Sequence, residues 1–339
     1  MSVVFRTMGT SRGRRFVARG LRILGWVGLV GATAWLVRAE PRRALDPPGV
    51  RVVRDLVYRT GRQGKQAKLD LLLPAAPTPA RGWPVLVAVH GGAWRGGSKS
   101  DYGASLADLV RSGIAVLAID YQLSRPGQPS WPENLADVRA AVRWVDVEAA
   151  RYQLDSTRKA LIGASAGAHL ALLAALGPAG GDTVTARNAS RSQAGESIGV
   201  AAVIDFYGPT SLADLTDARP SVDLMLGEPR RPDRYETASP VRCVRPGVPP
   251  VLILHGSSDR LVPIDQSIRL AEALDRAGVA HRFIRVDEAR HGFGLQAGTR
   301  DFVPEILAFL GSAWNDEMRP SSLRDSSNES GQLGTGLDP

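Results

Sequence analysis

The 339-residue chain has one cysteine, Cys243, so no disulfide forms within it and packing and hydrogen bonds must hold the fold. It also lacks an excess of charge over most of its length. Residues 1–43 hold nine arginines against one acid, Glu40, and account for the whole net charge of +8. The rest of the chain carries 33 basic and 33 acidic residues. Without an evenly basic face, nucleic acid is excluded as a partner. No internal repeat is visible, and a 44% apolar composition is ordinary for a globular α/β chain of one large domain or two smaller ones.

A full-length membrane span is lacking too. After a basic segment (1–20), residues 21–38 contain Ile23 to Val37, fifteen residues without a charge. A spanning helix needs about 20. Trp26 and Trp35 at the two interfaces, with Arg22 and Arg38 snorkelling, still read as a single-pass anchor. The preceding arginines put the N-terminus in the cytoplasm and the remaining chain outside. The competing reading is a secretory signal with Ala32-Thr33-Ala34 as its cleavage site, which would export a soluble protein. Residues 39–49 read as a linker. Residues 315–339, poor in apolar side chains, read as a disordered tail.

What is present between residues 50 and 314 alternates strand and helix. Val50–Arg59 and Lys68–Leu73 read as a hairpin. Pro84–His90, Ile114–Ile119, Gly199–Phe206, Pro250–His255 and His281–Asp287 read as further strands. Ser100–Ser112, Pro132–Ala150, Ile264–Ala277 and Asp301–Trp314 read as helices. The alternation predicts a doubly wound, mostly parallel sheet. Residues 178–197 read as a polar loop. Residues 208–249, proline-rich and placed near the C-terminal strand ends, read as a lid insertion.

One stretch organises this domain: Gly163-Ala164-Ser165-Ala166-Gly167, between an apolar strand and an Ala/Leu-rich helix. Gly-x-Ser-x-Gly in that setting is a nucleophile elbow, with glycines where strand and helix crowd together. A serine needs a base, an acid to orient it and an oxyanion site. His291 is the candidate base, because it alone of the five histidines lies in a loop after the last strand. Asp259, after the strand ending at His255, is the candidate acid; Asp205 also ends a strand, but an earlier one. The chain order Ser165, Asp259, His291 fits this fold. The backbone N–H groups of Gly91, Gly92 and Ala93, in His90-Gly91-Gly92-Ala93-Trp94, and of Ala166 are the candidate oxyanion donors. His90, His169, His255 and His281 are assigned to packing or loop bracing.

Carrying these motifs, residues 50–314 resemble the α/β-hydrolase family, in the carboxylesterase branch of feruloyl-esterase-like and hormone-sensitive-lipase-like enzymes. Asp120-Tyr121-Gln122-Leu123 is similar to that branch's Asp-Tyr-Arg-Leu, with Gln122 in place of arginine. Ala93-Trp94 replaces the third glycine of lipases and matches feruloyl-esterase-like and arylformamidase-like members. The resemblance implies an α/β-hydrolase fold, a small-molecule ester substrate, and neither metal nor organic cofactor. The expected activity is carboxylic ester hydrolysis through an acyl-enzyme. An acyltransferase or an amidase/formamidase on the same three side chains is the alternative, and a non-catalytic binding protein is the alternative of another class.

Overall fold

The computed structural model describes residues 46–61, 64–178, 198–227 and 231–315, all within one compact unit. The proposed anchor (21–38), most of the 178–197 loop and nearly all of the 315–339 tail lie outside the described residues. Among the described residues no helix is long and apolar enough to cross a membrane.

Eight strands form one sheet: β1 (Val50–Thr60), β2 (Gln66–Pro74), β3 (Trp83–Val89), β4 (Ala115–Ile119), β5 (Leu154–Ala164), β6 (Ala202–Phe206), β7 (Val251–Gly256) and β8 (His281–Val286). Their order is β1-β2-β4-β3-β5-β6-β7-β8. The predicted hairpin makes the antiparallel edge, with β2 also antiparallel to β4. From β4 to β8 every pairing is parallel. The mostly parallel α/β-hydrolase arrangement expected from the motifs is therefore observed.

The apolar runs become central strands because both faces of the sheet are covered. In β3, Val85, Val87 and Val89 join one core while Leu86 and Ala88 join the other. The first core is closed by α2 (Glu133–Tyr152), α3 (Ala166–Leu176) and α6 (Asp265–Arg276). The second is closed by α1 (Ala107–Arg111) and α7 (Val303–Trp314). Each fully buried Val or Leu stabilises by about 1.5–3 kcal/mol, so a one-residue slip in β3 would exchange two filled faces at once. The sequence of α3, AGAHLALLAAL, is apolar around its whole circumference, and every residue of it is buried.

Two expectations need correction or refinement. Ser100–Ser112 is not one helix: two 3₁₀ turns, Lys99–Asp101 and Gly103–Leu106, precede α1. A capping box between Ser98 and Asp101 starts the first turn, and the regular helix begins only where the apolar residues Ala107, Leu109 and Val110 meet the core. The 208–249 segment carries α4 (Arg219–Leu226) and α5 (Pro232–Thr237) between short turns. Its Leu212, Leu215, Val222, Met225 and Ala238 are buried in the first core. These side chains pack the insertion down on the body of the domain.

Candidate active site

Parallel strands send their C-terminal ends to one edge, and β3, β5, β6 and β7 all deliver site residues there. Ser165 follows β5 with φ 54° and ψ −121°, a conformation L-residues adopt only when the surroundings impose it. The crowding expected of the elbow is present. A Cβ on Gly163 would stand 2.5 Å from the Gly167 carbonyl carbon, and one on Gly167 would strike the Val89 carbonyl oxygen. Ser165 N–H donates to Phe206 O at 2.9 Å, which ties the turn to β6.

The structure brings the three candidate side chains together. His291 Nε2 lies 2.9 Å from Ser165 Oγ, and His291 Nδ1 lies 2.7 Å from Asp259 Oδ2. Because a carboxylate only accepts, Nδ1 carries the proton and Nε2 is left to accept from the serine. Asp259 Oδ1 accepts the backbone N–H groups of Leu261 (3.0 Å) and Val262 (2.9 Å). Burial pushes the Asp259 carboxyl upward, but hydrogen bonds from His255 and His291 prevail and hold it well below the usual carboxylate range. It is therefore a fixed negative charge beside the imidazole.

The four candidate oxyanion donors also lie on this edge. A Cβ on Gly91 would contact Ser165 Cβ at 3.6 Å, so the loop after β3 sits directly against the elbow. The N–H groups of Gly91, Gly92, Ala93 and Ala166 donate to no acceptor among the described residues. The loop's carbonyls, by contrast, are occupied. Tyr102 Oη donates to Val89 O at 2.7 Å, Tyr121 Oη donates to His90 O at 3.0 Å, and Gly92 O accepts from Arg95 and Gly96. With these carbonyls tied back, the loop keeps unpartnered amide N–H groups beside Ser165, the kind of donor set that an oxyanion site requires.

Some contributors were not read from the sequence. His255, assigned to bracing, also lies 3.3 Å from Asp259 Oδ2 through Nε2. The spacing of four residues across a tight strand-end turn was the available signal. Tyr207 packs its ring 4.7 Å from His291 and donates its hydroxyl to Phe293 O at 2.6 Å. Nothing local in the sequence marks it. Asp205 is fully buried at the end of β6, where its carboxylate accepts the Gly208 N–H instead of orienting His291. Among the described residues no cluster of His, Cys, Asp or Glu could hold a metal ion.

Known proteins match this architecture. Esterase LipQ of Mycobacterium tuberculosis is 32% identical over 80% of this chain, and esterase LipC of the same organism is 32% identical over 66%. The chain spans 66% of LipQ and 56% of LipC, less than two thirds of either. A solved carbohydrate esterase from gut microbiota superimposes with a TM-score of 0.67 at 26% identity, covering 78% of this chain and 97% of that one. The BD-FAE family model matches residues 69–274, more than half of the chain. With the α/β-hydrolase sheet and the elbow already in place, the chain belongs to the BD-FAE family.

Proposed function

We propose that this protein hydrolyses carboxylic esters of small molecules by two-step acyl transfer, with Ser165 as nucleophile, His291 as base and Asp259 as the acid that orients it. The observation that carries this reading is the chain of contacts through His291, 2.9 Å to Ser165 Oγ and 2.7 Å to Asp259 Oδ2. Relatives named as esterases support the reaction class.

In the first step His291 Nε2 takes the Ser165 proton as Oγ attacks the ester carbonyl carbon. The carbonyl oxygen gains negative charge and is held by amide N–H groups of Gly91, Gly92 or Ala93 and of Ala166. Asp259 stabilises the imidazolium without taking its proton. His291 then protonates the departing alcohol, leaving the acyl group on Ser165. In the second step water, deprotonated by His291, attacks the acyl carbon and releases the acid. The balance is one water consumed, with one acid and one alcohol released. Residues 21–38 complete the proposal as a membrane anchor that leaves this domain outside; alkaline carbonate extraction of membranes tests that part by retention or release of the full chain.

The test of the reaction pairs kinetics with labelling. Wild-type protein should turn over short p-nitrophenyl esters and react covalently with a fluorophosphonate probe. Ser165→Ala should lower kcat by about 10⁴-fold or more and abolish labelling. A Ser165→Ala protein that keeps a tenth of wild-type turnover refutes the assignment.

A further inference from the structure

We infer that His169 is a positioning residue that holds the oxyanion loop in register with Ser165 by accepting the indole N–H of Trp94. The inference rests on the hydrolase reading above and adds to it a residue outside the Ser165–His291–Asp259 chain.

The bond directions follow from chemistry. His169 Nε2 lies 2.7 Å from the carbonyl oxygen of Ala238, which can only accept, so Nε2 carries the proton. Nδ1 is then a bare lone pair, and the indole Nε1–H of Trp94, a group that can only donate, meets it at 3.2 Å. Both bonds together need the neutral ring. His169 is fully buried, and burial pushes its pKa down to about 4, so the ring stays neutral through the working range of pH.

The loop has a reason to need such an anchor. Ala93 and Trp94 are consecutive non-glycine residues at φ 52° and 58°, left-handed conformations that persist only when neighbours impose them. The Trp94 side chain is 2% exposed and meets the His169 ring edge-on, with centroids 5.1 Å apart. Trp94 O also accepts the N–H of Ser124 at 2.8 Å. The other end of the link is the elbow itself. His169 N–H donates to Ser165 O at 3.0 Å, one helical turn along α3. A single rigid turn of helix therefore connects the attacking hydroxyl to the loop that presents Gly91, Gly92 and Ala93. The bond to Ala238 extends the same link to the 208–249 insertion.

The two ring nitrogens can be tested separately. Asparagine places its side-chain oxygen near the position of Nδ1, so His169→Asn keeps an acceptor for Trp94. Glutamine reaches the position of Nε2, so His169→Gln keeps the donor to Ala238 and loses the acceptor. On a p-nitrophenyl ester, His169→Gln and His169→Phe should lower kcat about 10- to 100-fold with KM within about threefold, as misplaced oxyanion donors demand. His169→Asn should recover kcat to within about fivefold of wild type. Trp94→Phe should match the His169→Gln loss, and the double variant His169→Gln/Trp94→Phe should be no slower than either single one.

A second readout does not depend on turnover. The indole N–H resonance of Trp94, identified by its absence in Trp94→Phe, should lie downfield in wild type and His169→Asn and move upfield in His169→Gln. The inference is overturned if that resonance does not move in His169→Gln. It is equally overturned if His169→Asn loses as much kcat as His169→Gln, or if the two single losses multiply in the double variant. Wild-type turnover that survives Ser165→Ala overturns instead the reading on which the inference rests, and the inference falls with it.

Discussion

His255 and His291 approach the same carboxylate oxygen: Asp259 Oδ2 lies 2.7 Å from His291 Nδ1 and 3.3 Å from His255 Nε2. His255 is itself fixed, because Nε2–H also donates to Val262 O at 2.8 Å and Nδ1 accepts from Ser267 Oγ at 2.7 Å. It thus helps set both the place and the charge of the carboxylate that His291 Nδ1 meets. His255→Leu should leave Ser267 and Val262 with unmet hydrogen bonds in a fully buried site and destabilise the fold by about 2–4 kcal/mol. At a temperature where the variant is folded, kcat should fall about tenfold, the size expected for one lost charge-assisted hydrogen bond. Thermal unfolding and ester kinetics on the same sample check both values. A stable variant with unchanged kcat would show that His255 does nothing for Asp259.

Tyr207 is a further neighbour of His291. Its ring packs edge-on against the imidazole, and its hydroxyl closes the loop through Phe293 O. Tyr207→Phe keeps the ring contact and cuts the tether, at a cost of about 1 kcal/mol for one neutral hydrogen bond. The expected result is a several-fold lower kcat and faster proteolytic nicking between residues 287 and 295, with Tm reduced by only a few degrees. Limited proteolysis followed by mass mapping reads the loop directly; equal cutting rates in the two proteins count against the tether.

The elbow glycines give a steric prediction with an internal control. An alanine at Gly167 places a methyl group inside the Val89 carbonyl, and neither β3 nor α3 can retreat without opening the core. Gly167→Ala should cost more than about 3 kcal/mol or prevent soluble expression. A methyl group on Gly294 would meet nothing within 4 Å, so Gly294→Ala should shift stability by less than about 0.5 kcal/mol. Urea unfolding of both variants settles the comparison, and a well-folded Gly167→Ala would contradict the packing described for the elbow.

These cases mark what could be read in the sequence. Periodicity and punctuation located the strands and long helices because each has a filled face that a slip would empty. The elbow and the His90–Trp94 loop were legible because strict backbone geometry restricts which residue types fit there, and Asp259 and His291 are candidates by their places after the last two strands of the sheet, in that chain order. His169, His255 and Tyr207 were not assigned to the site, for a physical reason. Trp94 and Phe293 lie in segments remote from His169 and Tyr207, and the fold alone brings them together; Asp259 lies four residues past His255, across a turn whose closure the sequence does not spell out. A buried histidine that braces a loop and one that aligns a donor have the same local sequence.

Asp205 supplies a pH dependence whose sign is fixed by its surroundings. The carboxyl is fully buried; Oδ1 accepts Gly208 N–H at 2.8 Å, and Oδ2 has no hydrogen-bond partner among the described residues. Burial pushes its pKa up to about 7, against the opposing pull of the Gly208 hydrogen bond and of nearby His255. An unfolded aspartate titrates near about 4. Between these values the folded protein binds more protons than the unfolded chain, so stability is fully present below about pH 4 and is lost as pH rises through about 7. Asp205→Asn cannot ionise, and its side-chain oxygen can still accept the Gly208 N–H. The variant should match wild type at low pH and exceed it at pH 8, by up to about 4 kcal/mol. Chemical denaturation of both proteins from pH 5 to pH 8 measures the difference. A gap that stays constant or narrows toward pH 8 would mean that the buried carboxyl is already ionised at pH 5, held by a charge that its neighbours do not provide.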